Sequence, residues 1–345
     1  MSHDHGLGPE PTDPAAALMR RLAGKWVTQA LATAAELGLA EALEQPAGLE
    51  ALAEVLECHP PSLRRLLRML VGEGVLVEQP DGRYALTPLG AQLRHDALGT
   101  LARFVGSPSQ WSPWTELTYA VRTGNSAFER VHGQPLFEYL AERPEQSRLY
   151  DEAVDAFTSQ QARALAGLPG LDGVRMMVDV GGGRGTLLAE LLRLRESLRG
   201  VLFDQPHVLE PARARFEALG LAERCSFVGG DFFEAMPSGA DVYVLKHVLH
   251  NWDDERAVAL LRRCADAMPE HGRVFVVEAI VLPGNRRDGA RMFDLDMLVL
   301  TGGGRERSKP EFRRLLAQAG LRLRSTQRLS DGAWLLDAER SGRSA

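Results

Sequence analysis

The second half of the chain alternates short apolar runs with stretches in which apolar residues recur at helical spacing. The short runs predict strands, and the longer stretches, such as 210–219 and 256–268, predict the helices between them. This alternation predicts an α/β domain with a doubly wound, Rossmann-like parallel sheet. The predicted strands are Met176–Val180, Arg199–Asp204, Cys225–Gly229, Asp241–Lys246 and Arg273–Glu278. A helix at 309–319 and two weaker strands at 321–329 and 333–338 follow, and we expect that pair to be antiparallel at the sheet edge.

The front of the chain shows three helical stretches followed by two short strands. Gly38 is a natural stop for the first helix, and Asp81-Gly82 is a hairpin turn between the strands. This order is typical of a winged-helix domain. The predicted helices cover 18–37, 49–56 and 61–71, and the predicted strands cover 74–78 and 83–87.

A basic face on the third helix raises the alternative of DNA binding. Arg64, Arg65 and Arg68 lie opposite the leucines of that helix. Duplex binding needs a broad basic footprint, whereas the chain has a net charge of -6. We therefore expect these arginines to be solvated or to face another subunit.

The predicted organisation has four parts. Residues 1–15 form a polar, disordered tail, and residues 16–100 form the winged-helix domain. Residues 101–170 form an aromatic-rich helical region that could wall a substrate pocket. Residues 171–345 form the α/β domain.

Composition narrows the class of protein. Hydrophobic residues make up 45% and charged residues 25% of 345, which is ordinary for a globular protein. The three cysteines have no metal-ligand spacing, and we expect neither a disulfide framework nor a bound metal. With no apparent signal peptide or membrane span, the sequence favours a soluble cytoplasmic protein that binds neither nucleic acid nor membrane.

A glycine-rich turn follows the first predicted strand. Gly181, Gly182, Gly183 and Gly185 are followed by an apolar helical pattern, so strand, turn and helix could hold a ligand at the helix N-terminus. A dinucleotide fingerprint would require a third spaced glycine where Thr186 stands. The turn therefore suits a ligand without a pyrophosphate.

Functional-looking groups follow the other strands as well. Asp204 lies 23 residues after Gly181, about where an acid binds a ribose diol in nucleotide folds. Asp231 and Phe232 suit an adenine, while His250 and Glu278 follow the last two strands. Because ligands of open α/β sheets bind at the carboxyl ends of the strands, these groups are expected to converge.

Five motifs in this order resemble the S-adenosylmethionine-dependent O-methyltransferases of the plant caffeic-acid type, in their bacterial natural-product branch. The motifs lie at residues 178–185, 203–208, 230–233, 246–255 and 303–307. The resemblance extends over nearly the whole chain from about Leu18. It implies a class I methyltransferase domain and an N-terminal winged-helix domain that forms a homodimer. It also implies S-adenosylmethionine as methyl donor and a hydroxylated aromatic acceptor in secondary metabolism or antibiotic biosynthesis.

The resemblance also implies roles for individual residues. His250 matches the catalytic base, and Glu278 and Glu306 match two acids that bracket it. Residues matching cofactor contacts are Asp179, Gly181, Gly182, Gly183, Asp204, Gly230, Asp231, Phe232, Lys246 and Trp252. Residues matching substrate contacts are Trp111, Tyr150, Val154, Met297 and Thr301.

The predicted chemistry is removal of a phenol proton by His250 during methyl transfer. An unperturbed histidine titrates near ~6.5 and a phenol near ~10, so we expect a largely neutral base at pH 7. His247 is a competing base, and Asn251 stands where plant members carry Asp. Two alternatives are N- or carboxyl-methylation on the same scaffold and a winged-helix regulator that senses a nucleotide-like ligand.

Overall fold

The computed structural model describes residues 13–285, 288–329 and 332–342, which divide into two compact units. The first unit contains the described residues through Trp111 together with Arg148–Ala156. The second contains Ser112–Ser147 and the described residues from Phe157 onward. Residues 1–12 of the predicted tail lie outside the described residues, and Pro14 already belongs to a helix.

The first unit is helical, with one β-hairpin. Alanines and leucines of the helices pack on Val75, Leu76 and Tyr84 of the hairpin segment. The predicted hairpin is confirmed, because Val77 pairs with Ala85 in an antiparallel ladder. Its elements are α1 Pro14–Leu22, α2 Gly24–Glu36, α3 Leu39–Ala42, α4 Leu49–Val55, α5 Pro60–Gly72, β1 Leu76–Glu78, β2 Tyr84–Leu86, α6 Gly99–Gly106 and α7 Pro108–Trp111.

The second unit is built on a seven-stranded sheet. Its strands are β3 Met176–Val180, β4 Arg199–Asp204, β5 Cys225–Gly229, β6 Val242–Lys246, β7 Arg273–Ala279, β8 Leu321–Arg328 and β9 Ala333–Arg340. Its helices are α8 Leu117–Thr123, α9 Ala127–His132, α10 Leu136–Ala141, α11 Pro144–Ala166 (whose residues 148–156 belong to the first unit), α12 Thr186–Leu194, α13 Pro206–Ala218, α14 Asp254–Ala267, α15 Gly289–Leu300 and α16 Lys309–Gln318.

The sheet order confirms the doubly wound prediction. The strands follow the order β5-β4-β3-β6-β7-β9-β8, with parallel pairing from β5 to β7 and antiparallel pairing of β9 with β7 and β8. From β3 the chain adds β4 and β5 on one side, and it then returns to add β6 and β7 on the other side, so the order switches between β3 and β6. Such a switch point opens a crevice for ligands at the carboxyl ends of the strands.

Both faces of the sheet are covered, which explains the continuous apolar runs of the central strands. Tyr243 and Leu245 of β6 pack into one buried cluster, while Val242 and Val244 pack into another on the opposite face. Leu260 lies in the first cluster and Phe216 in the second. Among the described residues, none of the helices is long and apolar enough to cross a bilayer.

Candidate functional site

The glycine turn after β3 leads directly into α12. Gly183 has a positive φ of 56°, and a Cβ placed on it would meet no heavy atom within 4 Å. A side chain would strain this backbone, and its absence leaves open space in front of the turn. The turn can therefore approach a ligand with its backbone amides.

Asp204, at the end of β4, is bonded to the glycine turn. Its Oδ2 accepts a hydrogen bond from the Gly183 amide at 2.8 Å, and its Oδ1 accepts one from the Gln205 amide at 2.7 Å. Burial raises the pKa of this carboxyl, although the two amide bonds act against that rise. The side chain thus fixes the turn, in addition to its predicted contact with the ribose.

Two buried polar atoms in the same region lack hydrogen-bond partners among the described residues. They are Oδ2 of Asp179, in β3, and Nε1 of Trp252. Burial raises the pKa of Asp179 to about 7, with Lys246 lowering it and Asp204 raising it further. Unpaired buried groups are costly, so a polar ligand with both donors and acceptors would suit this crevice. The residues therefore fit S-adenosylmethionine.

An aromatic cluster lies beside these groups. The ring of Trp252 lies edge-on to Phe233 at 4.9 Å and to Phe232 at 6.1 Å, and the Arg256 guanidinium lies 5.1 Å from the Trp252 ring. Asp231 is exposed, and its Oδ1 accepts a hydrogen bond from the Phe233 amide at 2.8 Å. Aromatic faces next to an exposed carboxylate provide both surfaces that an adenine requires.

His250 lies in the 3₁₀ turn Leu249–Asn251 that follows β6. Its Nδ1 lies 2.8 Å from Oε1 of Glu306 and 3.5 Å from Oε2 of Glu278. Glu278 is fully buried and Glu306 is 3% exposed. Since Nδ1 faces the carboxylates, Nε2 is the ring nitrogen that is not bonded to Glu306.

The charge state of His250 differs from the sequence expectation. Burial alone would lower its pKa, but the carboxylates of Glu278 and Glu306 outweigh burial and raise it to about 9. The positive charge of His250 in turn lowers the pKa of Glu278 against the opposing effect of burial. Burial raises the pKa of Glu306. The prediction of a largely neutral His250 at pH 7 is therefore wrong, because the distance of the two acids from the ring cannot be read from a sequence.

His247 occupies a different environment three residues earlier. Its φ of 52° is unusual for a residue with a side chain, and its Nδ1 lies 3.5 Å from Oε2 of Glu278. Burial and the charge of Lys246 lower its pKa to about 4, so it is neutral at pH 7. The Asn251 side chain donates a hydrogen bond to the His247 carbonyl at 3.2 Å and so stabilises the backbone of this turn.

The same side chains satisfy the spacing of a metal site. One donor atom from each of His247, His250 and Glu278 lies within 4.8 Å of the others. Two imidazoles and a carboxylate suit a transition metal. Nδ1 of His250, however, already has a short hydrogen bond to Glu306, which is an arrangement suited to proton transfer.

The segment 301–306 holds Glu306 against His250. The His250 carbonyl accepts a hydrogen bond from the Arg305 amide at 2.8 Å, and Asp294 of α15 accepts one from the Glu306 amide at 2.9 Å. The Thr301 hydroxyl donates to the Met297 carbonyl and accepts from the Gly304 amide. Both predicted substrate residues of this region, Met297 and Thr301, are buried.

The other three predicted substrate residues belong to the first unit. Trp111 ends α7, and Tyr150 packs edge-on against Phe104 at 5.6 Å between ring centres. Val154 is half-buried in α11. Their contact with a substrate stays a prediction.

Arg307, Asp254 and Asp296 have no predicted role in the site. Arg307 is fully buried beside Glu306 and pairs with Asp254, and Oδ1 of Asp296 accepts a hydrogen bond from the Trp114 indole at 3.2 Å. Arg307 and Asp254 both lie within recognised motifs. An arginine directly after a predicted catalytic acid was the available signal, although its burial cannot be read from the sequence.

Two protein-family models together match most of the chain. Residues 114–322 match the model of an O-methyltransferase domain, and residues 19–95 match the model of an O-methyltransferase dimerisation domain. The second match covers the predicted winged-helix region. That model describes a dimerisation domain of O-methyltransferases and does not describe a DNA-binding domain.

Individual relatives agree with the family models. The chain is 38% identical over 325 residues to a phenazine O-methyltransferase, PhzM, of Lysobacter antibioticus, covering 93% of this chain and 95% of that protein. It is 40% identical over 308 residues to a mitomycin biosynthesis 6-O-methyltransferase of Streptomyces lavendulae, covering 88% and 87%. A solved O-methyltransferase from neocarzinostatin biosynthesis, in complex with S-adenosylmethionine and 2-hydroxy-5-methyl naphthoic acid, superposes with a TM-score of 0.79 at 34% identity, covering 94% of this chain and 98% of that one.

Proposed function

Because the chain belongs to the S-adenosylmethionine-dependent O-methyltransferases of the caffeic-acid type, in their bacterial natural-product branch, we propose that it methylates a hydroxyl of an aromatic small molecule with His250 as general base. The observation that carries this proposal is the 2.8 Å hydrogen bond between Nδ1 of His250 and the buried Glu306. It fixes the ring and directs Nε2 away from the two acids. Aromatic acceptors of the relatives, namely a phenazine and a naphthoic acid, support the acceptor class.

The cofactor is held, in this proposal, by the groups at the carboxyl ends of β3 to β6. Bound S-adenosylmethionine supplies an electrophilic methyl group. Asp204 would bind the ribose, and the backbone of the turn 181–183 would bind the methionine portion. Asp231, Phe232 and Trp252 would bind the adenine. Holding two reactants in line contributes about 7–11 kcal/mol to such reactions, so much of the catalysis comes from positioning.

His250 contributes the proton transfer. Neutral His250 would accept the phenol proton on Nε2. The acceptor oxygen would take the methyl group from the sulfonium of the cofactor, which would leave as S-adenosylhomocysteine. The carboxylates of Glu278 and Glu306 stabilise the resulting imidazolium, as in other His–carboxylate pairs. With a pKa of about 9, His250 is close to the ~10 of a phenol, which favours efficient proton transfer once the ring is neutral.

We also propose that the enzyme works as a homodimer through residues 19–95. The family model for this region is a dimerisation domain. Apolar side chains of α1 and α2 are more than half exposed in the single chain, which is a costly arrangement unless another surface covers them. They are Leu18, Met19, Leu22 and Trp26.

A methylation screen tests the proposal. Wild-type enzyme and His250→Gln are incubated with labelled S-adenosylmethionine and a panel of hydroxybenzoates, hydroxynaphthoates and hydroxyphenazines. We expect methylation of at least one phenol, with kcat reduced about 10²–10⁴-fold in the variant. Cofactor binding, measured by calorimetry, should be retained.

The controls address the other methylation chemistries. Anilines and methyl-blocked phenols with the same ring skeletons report on N- and carboxyl-methylation. Equal turnover of a phenol by His250→Gln would remove the base assignment. Labelling of anilines but of no phenol would overturn the proposed acceptor class.

A further inference from the structure

A fully buried arginine lies next to the proposed catalytic acid Glu306. Arg307 has no exposed surface, and its guanidinium donates along three directions. Nε and Nη2 each lie 2.8 Å from Oδ1 of Asp254. Nη1 donates to the Leu249 carbonyl at 3.0 Å, and Nη2 donates to the Trp252 carbonyl at 2.7 Å.

The two carbonyls bonded by Arg307 flank His250 in the chain. Leu249 precedes His250 directly, and Trp252 follows it by two residues. The His250 carbonyl between them accepts a hydrogen bond from the Arg305 amide. Three carbonyls of one short turn are therefore held by a segment that also carries Glu306.

The backbone of Arg307 is anchored as well. Its carbonyl accepts a hydrogen bond from the Val281 amide at 3.1 Å, and it forms a parallel bridge with Ile280, two residues beyond Glu278 in the chain. The residue is thus connected to the turn of His250, to the segment of Glu306 and to the end of the strand that bears Glu278. All three parts of the proposed proton-transfer group meet at this residue.

A simple contribution to stability does not explain the choice of arginine. A buried ion pair is often replaced by apolar residues without loss of stability, so burial alone does not favour a charged group here. Lysine has the same charge but lacks the planar fork of donors that reaches two carbonyls and a carboxylate together. The contacts therefore require the geometry of a guanidinium.

We propose that Arg307 is a positioning residue that holds the turn 249–252 and Glu306 in register, so that the imidazole of His250 stays within hydrogen-bond distance of the carboxylate. Asp254 completes the arrangement by fixing the guanidinium. This inference rests on the proposed function of His250. Neither Arg307 nor Asp254 is assigned a contact with substrate or cofactor.

The direction in which the pKa of His250 changes in Arg307 variants separates a positioning role of Arg307 from an effect of its charge. Enzyme labelled with ¹³C at histidine Cε1 is titrated by NMR, and the His250 signal is assigned by its loss in His250→Gln. Three carboxylates, Glu278, Glu306 and Asp296, favour the charged form of His250 and so raise its pKa. Lys246 lowers that pKa, and so does His247 when it is protonated. Removing a cation alone, as in Arg307→Met, should raise the pKa of His250 above about 9. Loss of register with Glu306 should lower it toward ~6.5.

We expect both Arg307→Lys and Arg307→Met to lower the pKa of His250 and to reduce kcat at least about tenfold for the phenol methylated fastest in the panel. Asp254→Asn should have a smaller effect in the same direction. Because Asp254 is half exposed, this variant keeps the test available if neither Arg307 variant folds. Arg273→Lys is the matched control, since Arg273 forms a largely buried pair with Asp337 at the opposite end of β7. Its kcat per folded enzyme and the pKa of His250 should stay at wild-type values.

The outcomes distinguish this inference from the proposed function. In the His250→Gln background, Arg307→Lys should cause little further loss of kcat, because the two residues act through one another. If Arg307→Lys keeps the wild-type pKa of His250 and the wild-type kcat, the positioning role is overturned and the base assignment stays intact. If neither Arg307 variant folds, the same result in Asp254→Asn leads to the same conclusion. Full activity of His250→Gln would overturn the base assignment, whatever the Arg307 variants show.

Discussion

Nδ1 of His250 lies 2.8 Å from Oε1 of Glu306, although the two residues are 56 positions apart in the chain. The imidazole is 12% exposed and the carboxylate side chain 1% exposed, so water screens their interaction very little. This pair, together with Glu278, raises the pKa of His250 to about 9 against the effect of burial. Position and proton affinity of the proposed base thus depend on the same contacts.

Glu306→Gln should lower the pKa of His250 and reduce its catalytic power. The amide keeps the size of the side chain but removes a negative charge that stabilises the imidazolium. We expect kcat to fall about tenfold or more, and the rise of kcat/KM with pH to occur below the wild-type midpoint of about 9. Initial rates of phenol methylation between pH 6 and pH 10.5 measure both effects.

The control for this exchange is Glu234→Gln, an exposed acid in the same unit. It should keep the wild-type pH profile. If Glu306→Gln kept that profile too, the carboxylate would have no part in setting the proton affinity of His250.

The free energy of unfolding should depend on pH through His250. Its folded-state pKa of about 9 is above the unfolded value of ~6.5, so the folded protein binds more protons between these limits. Stability from this group is fully present below pH ~6.5 and is lost as the pH rises through 9, by about 3 kcal/mol in total. Urea unfolding of wild type and His250→Gln at pH 6 and pH 9.5 measures the loss. A wild-type decline no larger than that of the variant would contradict the assignment.

His247 should have the opposite dependence in a separate pH window. Its folded-state pKa of about 4 is below the unfolded value of ~6.5, so the unfolded chain binds more protons as the pH falls between them. The contribution of this group therefore decreases stability toward acid pH. His247→Asn should show a shallower loss of stability between pH 6.5 and pH 4 than wild type in the same urea titrations. An equal slope in the two proteins would show that His247 does not titrate in this way.

The central strands β6 and β7 were predictable because they are buried on both faces and therefore read as nearly uninterrupted apolar runs. Met176–Val180, Arg199–Asp204 and Cys225–Gly229 have the predicted bounds, while β6 begins one residue late at Val242 and β7 ends one residue late at Ala279. The strand ends also follow from topology, since parallel strands bring their carboxyl ends to one edge. Asp204 was therefore expected close to the glycine turn, where it lies.

The electrostatics of the site could not be predicted in the same way. Glu306 reaches His250 from a loop after α15, and neither periodicity nor spacing gives the distance between two loops. The pKa of His250 depends steeply on that distance. Arg307 shows the same limit, because a buried arginine and a solvated arginine look alike in a sequence.

Asp204→Ala should weaken cofactor binding. The substitution removes the acceptor of the Gly183 amide and the group proposed to bind the ribose. Hydrogen bonds to charged groups contribute about 1.5–3 kcal/mol, which corresponds to ~10–100-fold in affinity. Calorimetric titration with S-adenosylhomocysteine measures this loss of affinity.

Asp241→Ala is the matched control, because Asp241 accepts hydrogen bonds from the amides of Arg175 and Met176 at the other end of the sheet. Equal affinity losses in the two variants would show a general destabilisation instead of a cofactor contact.

Gly304→Ala should disturb the turn of His250 directly. A Cβ on Gly304 would lie 2.2 Å from Oγ1 of Thr301 and 2.5 Å from the His250 carbonyl oxygen, so the backbone has to shift. Such overpacking costs about 1–3 kcal/mol, and here the shift moves the turn that carries the proposed base. The midpoint temperature of thermal unfolding and the kcat of phenol methylation should both decrease.

In the control Gly302→Ala the added Cβ meets only the carboxylate end of Glu129, at 3.1 Å, and that flexible side chain can move. The control should therefore keep its kcat, and a similar loss of kcat in both variants would show that the Gly304 effect does not arise from contact with the His250 turn.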